Sequence, residues 1–217
     1  MIPLVHDFEG ETVVVFGGGR AGARKARRFA REARVVVVSP EFADADFGAA
    51  DRVRAAPTPA DVPDWLDAAD PALVVAATDD EAFNAAVERH ARERGALVNR
   101  ADRRGGRDAG SVVVPATIRE GTVQVAVATG GTAPAVSRRL RRELEETVAG
   151  AGLVADVTAA LREEFRAGDR SPAERRAAVR AVAESVAVWR AAETGDRDAV
   201  RAAAERAVAD AESTGDA

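Results

Sequence analysis

Apolar positions in the first hundred residues fall in short unbroken runs. Val35 to Val38 and Ala72 to Thr78 read as strands buried on both faces, the pattern of a parallel sheet, and Thr12 to Gly17 and Ala96 to Ala101 read as strands beside them. Arg52-Val53-Arg54-Ala55 is a weaker strand. The stretch after Gly22 sets Ala21, Ala26, Phe29 and Ala30 on one side of a helix and Arg24, Lys25, Arg27 and Arg28 elsewhere. Pro57 to Pro63 reads as loop, and Asp64 to Ala69 as a short helix. Asp79-Asp80-Glu81 opens the next helix with acids that suit its positive end, and Gly95 closes it. Strands alternating with helices predict an α/β fold: a doubly wound, Rossmann-type parallel sheet.

Beyond Asp102 the pattern changes. Arg103 to Gly110 is polar and Gly-rich, a loop. Ser111 to Ile118 and Val123 to Thr129 read as strands joined by a turn at Arg119-Glu120-Gly121, and a helix follows from about Pro134 to Val148. From Gly152 onward the periodicity is helical only. Ser171-Pro172-Ala173-Glu174 is a capping box with Pro at the first helical position. Gly195-Asp196 separates the last two helices, and Ser213 to Ala217 should fray. The expected division is a Rossmann domain over 1–110, a small α+β unit over 111–150 and a helical region over 151–217.

Composition narrows the chemistry. The 217 residues are 47% hydrophobic, ample for a core, but only 4% aromatic, so the core rests on Val, Ala and Leu. There is no cysteine, which excludes disulfides, thiolate catalysis and Cys-built metal sites. His6 and His90 stand far apart in sequence, so no bound metal is expected. A net charge of −5 argues against nucleic-acid binding. No secretory leader and no membrane-length apolar run is visible, so a soluble, cytoplasmic protein is expected.

The first candidate site lies where the first strand meets a helix through Gly17-Gly18-Gly19-Arg20-Ala21-Gly22, a Gly-x-Gly-x-x-Gly pattern. Gly17 permits the tight turn, Gly19 lets a pyrophosphate approach the backbone, and Gly22 lets the helix pack on the strand. The helix N-terminus then offers free N–H groups to the phosphates of a dinucleotide such as NAD. The plainer role is a Gly-rich turn with no ligand. A ribose-binding acid would be expected about 20 residues beyond the glycines. This chain has Ser39-Pro40-Glu41 there, with the acid displaced, so adenosine binding would rest on backbone and Ser39.

Several motifs occur together and in order: Gly17-Gly18-Gly19 with Ala23-Arg24-Lys25-Ala26; Val38-Ser39-Pro40-Glu41; Ala76-Ala77-Thr78-Asp79-Asp80 with Asn84; Val98-Asn99 with Asp102; and Val127 to Pro134 with Arg138, Arg139 and Leu140. In that set the chain resembles the dehydrogenase and ferrochelatase part of siroheme synthases over roughly residues 1–148, in its stand-alone form. The resemblance implies NAD-dependent oxidation of precorrin-2 to sirohydrochlorin, then insertion of ferrous iron to give siroheme. It also implies a homodimer built by the segment after the Rossmann unit, and a tetrapyrrole substrate held between units.

By that resemblance Asp102 matches the acid used in both reactions. Taking two hydrogens from a reduced tetrapyrrole needs a hydride acceptor and a proton acceptor, and metal insertion needs the pyrrole N–H protons to leave. Asp102 follows a strand, in the crevice where α/β sheets bind ligands. Its plainer role is to cap a turn. Asp108, in the same Arg/Gly-rich loop, is a rival base. Thr78 and Asp79 would face the nicotinamide side or cap the following helix, and Asn99 would bond cofactor or loop backbone. Thr129-Gly130-Gly131-Thr132 forms a second strand-to-helix turn, suited to substrate carboxylates or to plain turning. Arg138, with Arg139, Arg141 and Arg142, could pair a polycarboxylate or form a solvated face with Glu143, Glu145 and Glu146. A non-enzymatic NAD-binding sensor module is the alternative class. An unrelated oxidoreductase would need a Tyr, Cys or well-placed Lys, and the chain has no Tyr or Cys and only Lys25.

Overall fold

The computed structural model describes residues 3–103 and 111–215. Its contacts divide the chain into two compact units, Met1–Val114 and Pro115–Ala217. The first alternates β1 (Thr12–Phe16), α1 (Arg20–Phe29), β2 (Arg34–Ser39), β3 (Asp51–Arg54), α2 (Val62–Ala69), β4 (Leu73–Ala76), α3 (Glu81–Glu93) and β5 (Leu97–Arg100). All five strands are parallel, in the order β3-β2-β1-β4-β5.

The unbroken valine runs serve two faces at once. Val13, Val15, Val35, Val37, Leu73 and Val75 pack with Ala23 and Ala26 of α1 and with Phe47. Their neighbours Val14, Phe16, Val38, Val74, Ala76 and Val98 pack on α2 and α3, through Val62, Leu66, Phe83 and Val87 among others. That order reverses between β1 and β4, which opens a crevice at the carboxyl ends of those two strands.

The stretch expected as one strand from Ser111 to Ile118 is split. Ser111 bridges Val98 in parallel, and the Val112 N–H donates to the Val98 carbonyl at 2.8 Å. These residues extend the first unit's sheet. Pro115, which lacks an N–H, ends that pairing. β6 (Ala116–Glu120) then pairs antiparallel with β7 (Val123–Val127). Arg119 and Glu120 stay in the strand, so the hairpin turns at Gly121-Thr122 and not at Arg119 to Gly121. Gly121 supplies the left-handed residue the tight turn demands, at φ +56°.

Five helices complete the second unit: α4 (Pro134–Thr147), α5 (Ala151–Ala167), α6 (Pro172–Glu184), α7 (Val186–Glu193) and α8 (Arg197–Gly215). Val157, Leu161 and Phe165 of α5 meet Val182 of α6, Val188 of α7 and Val200 and Ala204 of α8 in one core. The capping box forms as read: Ser171 Oγ accepts the Glu174 N–H at 3.3 Å, and the Glu174 carboxylate accepts the Ser171 N–H at 2.6 Å. The hairpin and α4, expected to stand apart from the helical region, share this compact unit with it. Gly152 shows why: a Cβ there would overlap the Glu120 carbonyl, so α5 sits directly on the hairpin turn. The last helix continues to Gly215, into the stretch expected to fray.

Candidate active site

The glycine turn is built by three different constraints. Gly17 leaves β1 at φ +119°, and a Cβ on it would overlap the Ala77 carbonyl at the end of β4. The Gly17 N–H donates to the Val38 carbonyl at 3.0 Å. A Cβ on Gly18 would strike the Glu41 carbonyl and the Ser39 side chain, and one on Gly22 would strike the Gly17 carbonyl. Gly19 differs: a Cβ there would meet nothing within 4 Å. The fold therefore needs Gly17, Gly18 and Gly22 small, while Gly19 borders open space. Gly19 is also the N-cap of α1, with no side chain capping it, and no acid stands in the first turn. The N–H groups that open this helix, from Arg20 and Ala21, thus remain available to an anion. This cradle fits a dinucleotide pyrophosphate.

At the end of β2, Ser39 is buried beneath Gly18, while Pro40 and Glu41 are exposed. The Ala43 N–H donates to the Gly18 carbonyl at 2.9 Å, so residues 39–43 fold back over the glycine turn. Sequence reading found no arginine at this strand end. The sheet supplies one: Arg54 pairs in register with Ser39 from β3 and is exposed. Only the strand register reveals it.

At the end of β4, Thr78 and Asp79 were expected to face the cleft or to cap α3. The N-cap is Asp80, whose carboxylate accepts the Phe83 N–H at 3.0 Å. Thr78 is instead fixed to the fully buried Asn84: its hydroxyl donates to Asn84 Oδ1 at 2.7 Å, and Asn84 Nδ2 donates to the Thr78 carbonyl at 2.8 Å. Asp79 is exposed beside them.

At the end of β5, Asn99 Nδ2 donates to the Val112 carbonyl at 2.8 Å, which ties the returning chain to the sheet edge. Its Oδ1 is buried without a partner among the described residues. Asp102 takes both Arg100 Nε, at 2.9 Å, and Arg100 Nη2, at 2.6 Å. That fork, with help from Asn84, holds the Asp102 carboxyl below its ordinary range against the opposing effect of burial. Asp102 is thus ionised at neutral pH and 23% exposed in its side chain. Asp108 lies outside the described residues. Arg100 was missed by sequence reading, since a charged residue at a strand end gives no sign of where its guanidinium folds.

The second unit carries the other glycine turn. The Thr129 hydroxyl donates to the Ala133 carbonyl at 3.2 Å and shares a 2.9 Å hydrogen bond with Ser137. Thr132 donates from both its N–H and its hydroxyl to the Thr129 carbonyl. Gly130 and Gly131 take positive φ, at +63° and +84°. The turn is self-bonded, and its exposed glycines open α4, whose N-cap Ala133 offers no side-chain bond. On α4, Arg139 pairs with Glu143 and Arg141 with Glu145, the solvated arrangement, while Arg138 is exposed. Among the described residues no helix is long and apolar enough to cross a membrane, and no group of acids and histidines could hold a metal ion.

A parallel sheet of this order with a pyrophosphate cradle at its switch point defines a Rossmann-type dinucleotide-binding protein. A family model described as "Putative NAD(P)-binding" matches residues 4–116, and one described as "Sirohaem biosynthesis protein central" matches residues 120–147. The chain belongs to the precorrin-2 dehydrogenase and siroheme synthase family. It is 34% identical over 158 residues to a precorrin-2 dehydrogenase of Methanosarcina barkeri, covering 68% of this chain and 66% of that one. It is 36% identical over 152 residues to a siroheme synthase of Pseudomonas aeruginosa, covering 66% of this chain and 30% of that one. The match thus spans just under two thirds of the first relative and under a third of the second. The solved structure of SirC, precorrin-2 dehydrogenase, aligns over 98% of this chain and 100% of its own, with a TM-score of 0.69 and 19% identity, and shows the same fold.

Proposed function

We propose that this chain oxidises precorrin-2 to sirohydrochlorin, with NAD as the dinucleotide. The observation that carries the reading is the Gly17 to Gly22 cradle on the same sheet edge as an ionised, partly exposed carboxylate at Asp102. The backbone of Gly19 to Gly22 would hold the pyrophosphate, Ser39 and Glu41 the adenosine end, and Asn99, with Thr78 and Asp79, the nicotinamide end. When bound, NAD supplies the acceptor for a hydride. Asp102 takes the proton that leaves with that hydride. Thr129 to Thr132 and Arg138 would meet the carboxylates of the tetrapyrrole. Ferrous iron is a second substrate, with Asp102 taking up pyrrole protons as the metal enters. A cytoplasmic setting goes with these substrates.

The test is incubation of the protein with precorrin-2 and NAD, with and without ferrous or cobaltous ion. Sirohydrochlorin formation supports the dehydrogenase, and metal-dependent loss of sirohydrochlorin supports the chelatase. Dinucleotide binding without turnover would favour a sensor module instead.

We infer further that the working form is a homodimer through the second unit. The α4 helix buries none of its residues; Val136 and Leu140, one turn apart, are 50% and 39% exposed. β6 and β7 form a sheet of two strands, whose edges invite covering. Sedimentation at micromolar concentration is expected to show two chains, and Val136→Asp with Leu140→Glu to yield monomers. An active wild-type monomer would contradict this.

NAD is expected to bind more tightly than NADP, because the displaced Glu41 would repel a 2′-phosphate. Arg54 narrows the difference. Arg54→Gln should widen it by at most about fivefold, the scale of one exposed ion pair. Dissociation constants for both dinucleotides decide this, and tighter NADP binding by the wild type would refute it.

A further inference from the structure

Behind Asp102 lies a charge network that the reaction as described does not require. Arg100 ends β5 with its side chain only 3% exposed. One edge of its guanidinium grips both Asp102 oxygens. The remaining nitrogen, Nη1, donates to Glu88 Oε2 at 2.8 Å. Glu88, on α3, is itself 9% exposed in its side chain, and its other oxygen lies 2.7 Å from Arg92 Nη2. Arg103 Nη1 stands 3.7 Å from Glu88, and Arg103 Nη2 stands 3.8 Å from Glu81 in the first turn of α3.

Burying a guanidinium is costly and is tolerated only when its donors are matched. Glu88 alone would satisfy the interior end. The outer edge is committed to a carboxylate two residues on, at the mouth of the sheet. Asp102 accepts its own backbone N–H as a turn-capping aspartate would, but it also takes a planar fork, which fixes the plane of its carboxylate as well as its charge.

We propose that Arg100, braced by Glu88, is a positioning residue that holds the Asp102 carboxylate in one orientation and keeps it ionised for proton transfer. This rests on the reading of Asp102 as the acid at the substrate. The groups that face Asp102 agree in direction. Arg100 from β5 and Asn84 from α3 both bond the charged form, and the negative charge of Glu88 is met by Arg92 and Arg103. A carboxylate so held is a weaker base than a free one, so the proton it takes passes on to water rather than staying.

The sign of the pH effect follows. A lowered carboxyl pKa keeps Asp102 charged further into acid, so the acid limb of turnover lies low. Loss of the fork lets the pKa rise, and the limb moves up. Two variants separate this from a folding defect. Arg100→Lys keeps the charge and loses the fork; Arg100→Met with Glu88→Met removes the buried Arg100–Glu88 pair together, and Glu88→Met alone, which takes the same partner from Arg92, is its control. In both Arg100 variants, the acid limb of kcat is expected to move up, further in the double variant, which loses the adjacent charge as well as the fork. At neutral pH kcat should fall about tenfold with KM for NAD unchanged. A second readout needs no substrate: the carboxyl carbon-13 titration of Asp102 in the wild-type chain, assigned by its loss in Asp102→Asn. A midpoint below the ordinary aspartate value of about 3.9 is expected, and an ordinary midpoint would overturn the proposal. Folded variants with a wild-type pH profile and kcat would overturn it too. Normal turnover in Asp102→Asn would instead overturn the reading of Asp102 on which it rests.

Discussion

Asp102→Asn is expected to lower precorrin-2 oxidation by on the order of 100- to 10,000-fold, the usual cost of losing a general base. Asparagine keeps the size and one oxygen for Arg100, but it cannot accept a proton. The glycine cradle is untouched, so dinucleotide binding should stay within about twofold of wild type, well inside the ~1.4 kcal/mol that a tenfold change represents. Some stability should be lost, because the amide turns an N–H₂ towards a guanidinium that now has one acceptor in place of two; the cost of an unmatched buried donor is about 1–3 kcal/mol. Activity must therefore be compared below the unfolding transition of the variant. Chelation should fall with oxidation if one carboxylate serves both steps. Asp108→Asn is the matched control. Normal turnover in Asp102→Asn beside a collapse in Asp108→Asn would transfer the role to Asp108, and normal turnover in both would remove a carboxylate base from the mechanism.

The parallel sheet was legible because its strands are buried on both faces, and unbroken valine runs have few other uses in a chain of this length. The caps of α3 and α6 were legible nearly to the residue, since short polar side chains bond backbone within three positions; the cap of α3 moved only from Thr78 or Asp79 to Asp80. What stayed hidden depends on register and on distant partners. Arg54 becomes a neighbour of Ser39 only when β3 is laid beside β2. Arg100 acquires its meaning from Glu88, twelve positions earlier on a helix. Ser111 looked like the start of a hairpin strand because its neighbours Val112, Val113 and Val114 have the right composition. Its pairing with Val98 is non-local, and Pro115 marks the break only in hindsight. The candidate residues of the first unit, from Gly17 to Asp102, collect on one sheet edge because parallel strands all present their carboxyl ends there. Thr129 to Thr132 and Arg138 belong to the second unit, and no local pattern in either unit states what they meet.

Gly19→Ala should abolish tight dinucleotide binding while leaving the fold intact. Its φ of −73° with ψ of 178° is open to any residue, and a Cβ there meets no protein atom within 4 Å. Stability should change by no more than about 0.5 kcal/mol, as for a surface site free of strain. A pyrophosphate lying on the helix N-terminus would meet that methyl group directly. Losing one or two charge-assisted hydrogen bonds of about 1.5–3 kcal/mol each weakens binding on the order of tenfold to 100-fold or more. Gly17→Ala is the contrasting variant. There the methyl would overlap the Ala77 carbonyl, and φ of +119° is unfavourable for alanine. It should destabilise the first unit by about 3 kcal/mol or more, through strain and overpacking together. The pair separates two meanings of a glycine-rich turn. If the turn only reverses the chain, Gly19→Ala is silent in calorimetry and in dinucleotide titration alike, and the cradle is structural. If the turn binds a pyrophosphate, Gly19→Ala melts like wild type yet no longer saturates with NAD, whereas Gly17→Ala loses both properties because the cradle cannot form.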